Sequence, residues 1–287
     1  MNKSFTLKLS QSAVLISTIF FCALPTAQAD TLAGNLVAME SQSPIDIRSD
    51  NTFFGKLPPL QFTLSSDTPL NIINNSTPAN TRESTIRANV ATDAGSLMLS
   101  GGEWNLAQFH FHTPSEHLKN GIATPMEMHL VFNDAADNLL VVGRWIEQGA
   151  FNSALDPIFS HLPQTSADTL HVDHFNLNTL LPDNLQSFRY SGSLTTPPFS
   201  EGVTWVDLAQ PLTMSAAQIN NFTALFSDGD SREIQALNGR IILTDVPGFV
   251  TAVPEPETYA MLLAGLGLIG FAARRRLVNR GFMGSVA

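Results

Sequence analysis

Between residues 60 and 244 the chain is a succession of short apolar or alternating runs parted by Gly, Pro, Asn and Asp. They are LQFTL (60–64), PLNIIN (69–74), STIRANV (84–90), SLMLS (96–100), NLAQFHFH (105–112), MEMHLVF (126–132), NLLVVGRWI (138–146), GVTWVDL (202–208) and RIILT (240–244). Runs of this length, rich in β-branched and aromatic residues and bounded by turn formers, predict strands. Helical patterns are few. SALDPIFSHL (153–162) is one; SAAQINNFTALF (215–226) is the better, because Ser215 with Gln218 three residues on makes a capping box. Long helices do not alternate with the strands, which excludes a βαβ architecture. The pattern predicts a mainly β (α+β) fold: one domain on a large, twisted, mostly antiparallel sheet with a few peripheral helices.

Both ends of the chain break this pattern. Residues 1–29 carry Lys3 and Lys8, then the apolar run AVLISTIFFCAL, then AQA before Asp30, the three regions of a secretory signal peptide. At the other end VPEPETYAMLLAGLGLIGFAARRR runs from a proline-punctuated turn into uncharged residues from Thr258 to Ala273 and then three arginines. This stretch predicts a short transmembrane helix over about 258–273, at the lower limit of spanning length, with the arginines on the cytoplasmic side. Over Val253 to Arg276 it resembles the PEP-CTERM sorting signal of Gram-negative bacteria. That resemblance implies recognition by an exosortase-type processing enzyme, membrane attachment at least in transit, and delivery through the periplasm to the cell surface or extracellular matrix. The expected organisation is a leader (1–29), a catalytic domain (30–252) and a sorting segment (253–287).

Charge and cysteine content narrow the chemistry. A formal net charge of -10, from 15 Lys+Arg against 25 Asp+Glu, argues against a nucleic-acid partner. The single cysteine, Cys22, falls in the leader, so the exported domain has neither a disulfide nor a thiolate ligand. A transition-metal site there must be built from His, Asp and Glu.

Three of the seven histidines fall in FHFHTPSEH (109–117). Strand alternation puts Gln108, His110 and His112 on one face, with Phe109 and Phe111 on the other. A lone H-x-H is more often two polar residues facing solvent, but here the Phe-Phe face implies a strand covered on both sides, and buried imidazoles need partners. Pro114 and Ser115 predict a turn that carries His117 out of line. A better third ligand is His129 in MEMHLVF, where Glu127, His129 and Val131 share a face of the next strand. Glu127 is then placed to accept the remaining ring N–H of His129, and Gln108 that of His110, contacts that fix tautomer and orientation. Three histidines with an open fourth position describe a catalytic zinc site.

Read in order, QSPIDI (42–47), QFHFHTPSEH (108–117), MEMHLVF (126–132), YSGSLTTPPFSEGVTW (190–205) and LNGR (237–240) resemble an alpha-class carbonic anhydrase of the bacterial type, over about Gln42 to Leu243. The resemblance implies Zn²⁺ on His110, His112 and His129 and reversible hydration of CO2 to bicarbonate. It implies that Thr195 orients the zinc-bound hydroxide while donating its own proton to Glu116. Thr196 would help hold bicarbonate. Val131, Val141, Leu194, Val203 and Trp205 would form an apolar CO2 pocket, as suits an uncharged substrate, with Asn75 and Gln108 on the wetter side. His117 is read as structural and hydrogen-bonded near the site.

Three features depart from the family pattern. Thr77 stands where a proton-relaying histidine is usual, and Thr cannot titrate near neutrality. The segment before Gln42 is short and lacks the family's aromatic-rich cover. Phe199, with Glu40 and Ser41 opposite, occupies the place of a bridge that bacterial members often form. The expectation is an active enzyme limited by proton transfer. Two other readings compete: a surface-displayed binding protein on the same fold, disfavoured because all three histidines are present, and a zinc esterase, for which no recognition site for a larger substrate is evident.

Overall fold

The computed structural model describes residues 40–76, 84–250 and 260–271. The expected leader and Thr77 lie outside the described residues. In chain order the strands are β1 (Asp46–Ile47), β2 (Thr52–Phe54), β3 (Gln61–Leu64), β4 (Thr68–Asn74), β5 (Ile86–Val90), β6 (Gly95–Leu99), β7 (Gly102–His112), β8 (Leu118–Lys119), β9 (Met126–Asn133), β10 (Leu139–Gln148), β11 (Thr169–Phe175), β12 (Ser187–Ser193), β13 (Glu201–Met214) and β14 (Ile242–Thr244). Helices α1 (Asp156–Phe159) and α2 (Ala216–Thr223) and a 3-10 turn (Leu177–Leu180) complete the domain.

Twelve strands form one mixed sheet in the order β11-β4-β5-β7-β9-β10-β13-β12-β14-β2, with β6 pairing β7 and β3; β1 and β8 make a small separate pair. Most contacts are antiparallel, as the pattern predicts. The central β10–β13 pair and the β14–β2 edge are parallel. The chain leaves β10, visits the opposite edge as β11, and returns through β12, so β13 enters in the same direction as β10.

Side-chain alternation divides the interior into two layers. On one face Phe109, Phe111, Met128, Leu130, Leu140 and Val142 join a core closed by Phe159 of α1 and Phe222 of α2. On the other Val141, Trp145, Phe188, Tyr190, Val203 and Trp205 pack around Ile45 and Ile47. His110, His112 and His129 project into the second layer. Strand β9 is buried from Met126 to Leu130 on both faces, which explains its near-continuous apolar sequence.

The two helices came out unequally. At α2 the Ser215 hydroxyl accepts from Gln218 N (3.3 Å) and the Gln218 side chain accepts from Ser215 N (3.2 Å), the predicted capping box. At α1 only one turn is helical. Asn152 Oδ1 accepts from the Ala154 and Leu155 amides and makes a turn of residues 152–155. Pro157 sits at the helix start, where its missing N–H costs nothing. Strands β11 and β12 carry no apolar run; SFRYSGS pairs between β13 and β14 because tertiary context supplies the partners.

The expected transmembrane helix is not supported. Helix spans residues 260–271 in that stretch. At 1.5 Å per residue the described part covers about 18 Å, against roughly 30 Å of hydrocarbon. No helix among the described residues is long and apolar enough to cross a membrane.

Candidate metal centre

The antiparallel β7–β9 register sets His110 opposite His129, His112 opposite Glu127 and Gln108 opposite Val131. Paired residues share a face, so the three imidazoles converge. Their ring centroids lie 4.9 Å (His110–His112), 5.1 Å (His110–His129) and 4.9 Å (His112–His129) apart. One nitrogen of each lies within 4.8 Å of the others.

The outward nitrogens decide which ones face the centre. His110 Nδ1 bonds Gln108 Oε1 at 2.9 Å, and His129 Nε2 bonds Glu127 Oε1 at 3.0 Å, which leaves His110 Nε2 and His129 Nδ1 directed inward. Both nitrogens of His112 are buried without a hydrogen bond. Its Nδ1 lies 3.7 Å from Asp230 Oδ2 and its Nε2 3.6 Å from Glu116 Oε2. Three imidazole nitrogens gathered at one point, on two rings whose tautomers are fixed, are the donor set that would hold a catalytic zinc ion.

Charge follows burial and neighbours. Burial, then the adjacent His112 and His129, push the His110 pKa well down; burial, helped by His112, also lowers His129. Both favour the neutral, ligating form. For His112 burial opposes the charged form, but Glu116 and Asp230 together raise its pKa. Burial raises Asp230 to about 7.

A second group, His117, Glu127 and His129, is also close enough for a metal, but its nitrogens are engaged. His117 Nδ1 bonds Glu127 Oε1 (2.8 Å), its Nε2 bonds Tyr190 Oη (2.7 Å), and its amide donates to Glu127 Oε2 (2.7 Å). Tyr190 in turn bonds Ser43 Oγ at 2.8 Å. Burial opposes a charge on His117, yet Asp207 and Glu127 raise it to about 9, and His117 with His129 holds Glu127 well below the usual carboxylate range. Both shifts favour a charged His117–Glu127 pair behind the centre.

Glu116 and Thr195 are both buried at the site but are not bonded to each other, contrary to the relation implied by resemblance. Glu116 Oε1 accepts from Arg232 N at 2.9 Å. Its Oε2 has no hydrogen-bond donor and leans toward the imidazoles, 3.6 Å from His112 Nε2 and 3.8 Å from His129 Nδ1. Above the centre lies a pocket of about 70 Å³ lined by Gln108, His110, His129, Val131, Val141, Leu194, Thr195, Thr196 and Trp205. Val203 packs in the same layer as Val141 and Trp205, and Asn75, which follows β4, accepts from Thr85 N at 2.5 Å.

Several polar residues here had no signature in the sequence. Asp230, Asp207 and Arg232 arrive from distant segments. Arg232 also stacks its guanidinium 3.8 Å from the Phe199 ring and donates to Ser43 O, and Gln42 Nε2 donates to Phe199 O. These contacts tie together the two regions that lack a disulfide.

A mixed β-sheet with a three-histidine cluster at its centre and a small, mostly apolar pocket above it defines a metal-site enzyme for a small substrate. The model of eukaryotic-type carbonic anhydrase matches residues 32–246, and a PEP-CTERM protein-sorting motif matches residues 252–276. A carbonic anhydrase of Klebsiella pneumoniae is 40% identical over 204 residues, covering 71% of this chain and 79% of its own; that of Pectobacterium atrosepticum is 37% identical over 211 residues, covering 71% and 80%. The solved alpha-carbonic anhydrase of Thermovibrio ammonificans, in complex with sulfanilamide, superposes with a TM-score of 0.65 at 35% identity, covering 71% of this chain and 86% of that one. This chain belongs to the alpha carbonic anhydrase family, whose members are zinc-dependent enzymes of CO2 hydration, and it carries a C-terminal sorting motif for export to the cell envelope or surface.

Proposed function

We propose that this chain is a zinc carbonic anhydrase that interconverts CO2 and bicarbonate and is limited by proton transfer. The observation that carries the reading is the set of inward nitrogens on His110, His112 and His129, two of them aimed by Gln108 and Glu127. These histidines would hold zinc, whose chemistry when bound would be to make hydroxide available near neutral pH by lowering the pKa of water to about 7, carbonic anhydrase itself being the source of that value.

The chain's own residues do the rest. Val131, Val141, Leu194 and Trp205 shed water and hold CO2, which carries no charge to be solvated. Thr195, in the pocket wall, orients the attacking oxygen through its hydroxyl; Glu116, whose Oε2 has no donor and is not bonded to Thr195 in this structure, would close on that hydroxyl to take its proton. Thr196, beside Thr195, holds the oxygens of the product. Thr77 has no titrating group, so protons leave through buffer rather than a side-chain relay. In this reading residues 1–29 direct export, 30–252 form the catalytic domain, and an exosortase-type enzyme processes residues 253–287 after passage through the periplasm of a Gram-negative cell.

The test is zinc content and stopped-flow CO2 hydration of the purified domain, with His129→Ala as control. The expected result is one zinc per chain and hydration that rises as imidazole buffer is raised, both lost in the control. Bound zinc without hydration would favour a surface binding protein on this fold. Equal rates in dilute and concentrated buffer would refute the proton-transfer limit.

A further inference from the structure

Strand β5 borders the centre on the side away from every carboxylate described above. Its Ile86 and Ala88 are buried in the main core, so Arg87 and Asn89 face the opposite way. The β5–β7 register pairs Arg87 with His110 and Asn89 with Gln108. Cross-strand partners lie side by side on one face, which sets the Arg87 side chain beside His110 on the site's polar flank. Its Nε is buried without a partner, and the Arg87 side chain makes no hydrogen bond or ion pair among the described residues. The acids of the centre stand elsewhere: Glu116 and Asp230 lie against His112, and Glu127 lies behind His129.

A buried guanidinium nitrogen without an acceptor is costly, and more so beside a site for a dication. An anion between the two charges removes both penalties. A guanidinium offers a planar fork that matches two oxygens of a planar oxyanion, whereas neutral CO2 has nothing to gain from it. We infer that Arg87 is the anion-holding residue of this site and takes small planar oxyanions, bicarbonate among them, on the flank formed by His110 and Gln108. The inference rests on the carbonic anhydrase reading and adds a charged subsite to it. Arg87 acts on the bicarbonate side of the reaction and makes the site sensitive to inhibition by other anions of the same shape.

The experiment uses the cobalt(II)-loaded protein, whose visible spectrum reports anion binding without turnover. Nitrate and bicarbonate are titrated into the wild type, Arg87→Gln and Arg87→Lys. Arg87→Gln should weaken nitrate about tenfold and Arg87→Lys three- to fivefold, because the lysine keeps the charge but loses the fork, with melting temperatures close to wild type. A nitrate dissociation constant within twofold of wild type in Arg87→Gln overturns the inference while leaving the zinc reading intact. A wild type that takes up no cobalt overturns both. Should Arg87→Gln fail to fold, an unchanged constant in Arg87→Lys overturns the fork.

Discussion

Glu127 is the most heavily used carboxylate behind the centre. Its Oε1 accepts from both His129 Nε2 and His117 Nδ1, and its Oε2 accepts from His117 N. It is 1% exposed, so no water can replace these bonds cheaply. Glu127→Ala strips the partner from a buried cation and leaves a buried amide unsatisfied, which should cost about 3–5 kcal/mol. For a domain of this size that is a fall in melting temperature of roughly 6–20 °C. Glu127→Gln keeps one acceptor oxygen for two imidazoles and should cost less, about 1–3 kcal/mol. In both variants zinc affinity should fall about 10–100-fold, since His129 loses the acceptor that fixes its tautomer. Melting curves of the metal-free protein and chelator competition for the loaded one measure the two effects separately.

The pH dependence of the gap is a stricter check. The His117 pKa is raised from 6.5 to about 9, so its share of the stability is complete below pH 6.5 and is lost as pH rises through about 9. The Glu127 pKa is lowered from 4.5, so its share is present above pH 4.5 and is lost on acidification below that. Both shares are present between pH 4.5 and 6.5. The difference between wild type and Glu127→Gln should therefore be widest at about pH 5.5 and shrink by pH 9. Asp207 also faces His117, and burial together with the Glu127 charge raises its pKa to about 7, so its ionisation above that pH adds repulsion against Glu127 in the wild type alone and narrows the gap in the same direction. A gap that widened toward pH 9, or a Glu127→Ala protein melting within about 2 °C of wild type at pH 5.5, would refute the charged-pair description.

Two further substitutions probe the scaffold. Ser215→Ala removes the α2 cap and should cost about 1 kcal/mol, a drop of roughly 2–4 °C in melting temperature, with zinc content and hydration unchanged. A Cβ on Gly143 would fall 2.1 Å from Asp207 Oδ1 and 3.1 Å from Glu127 Oε1, so Gly143→Ala should cost about 1–3 kcal/mol, and the double variant with Asp207→Ala should recover part of the loss in the same melting assay.

Much of the centre was legible because strand alternation is a local rule. His110 and His112 share a face from their spacing alone, and Glu127, His129 and Val131 share another; only the β7–β9 register was needed to join them. Gln108 and Glu127 fell into place for the same reason, each lying two residues from the histidine it holds. What alternation cannot reach are partners brought in by long loops. Asp230 approaches His112 across 118 residues, at 3.7 Å, and the Arg232 amide donates to Glu116 across 116, contacts that depend on how the segment after α2 folds back. Arg87 shows a further limit. Its strand is plain in the sequence, but its place beside His110 follows from β5 pairing with β7, and that choice of neighbour is made by the sheet as a whole. The overestimated α1 marks the opposite failure, in which a good apolar period is overruled by the Asn152 turn before it. Sequence period therefore fixes which face a residue takes, while the charges that tune the site are set by topology. In this chain those charges, Arg87, Asp207 and Asp230, are what individual substitutions must test.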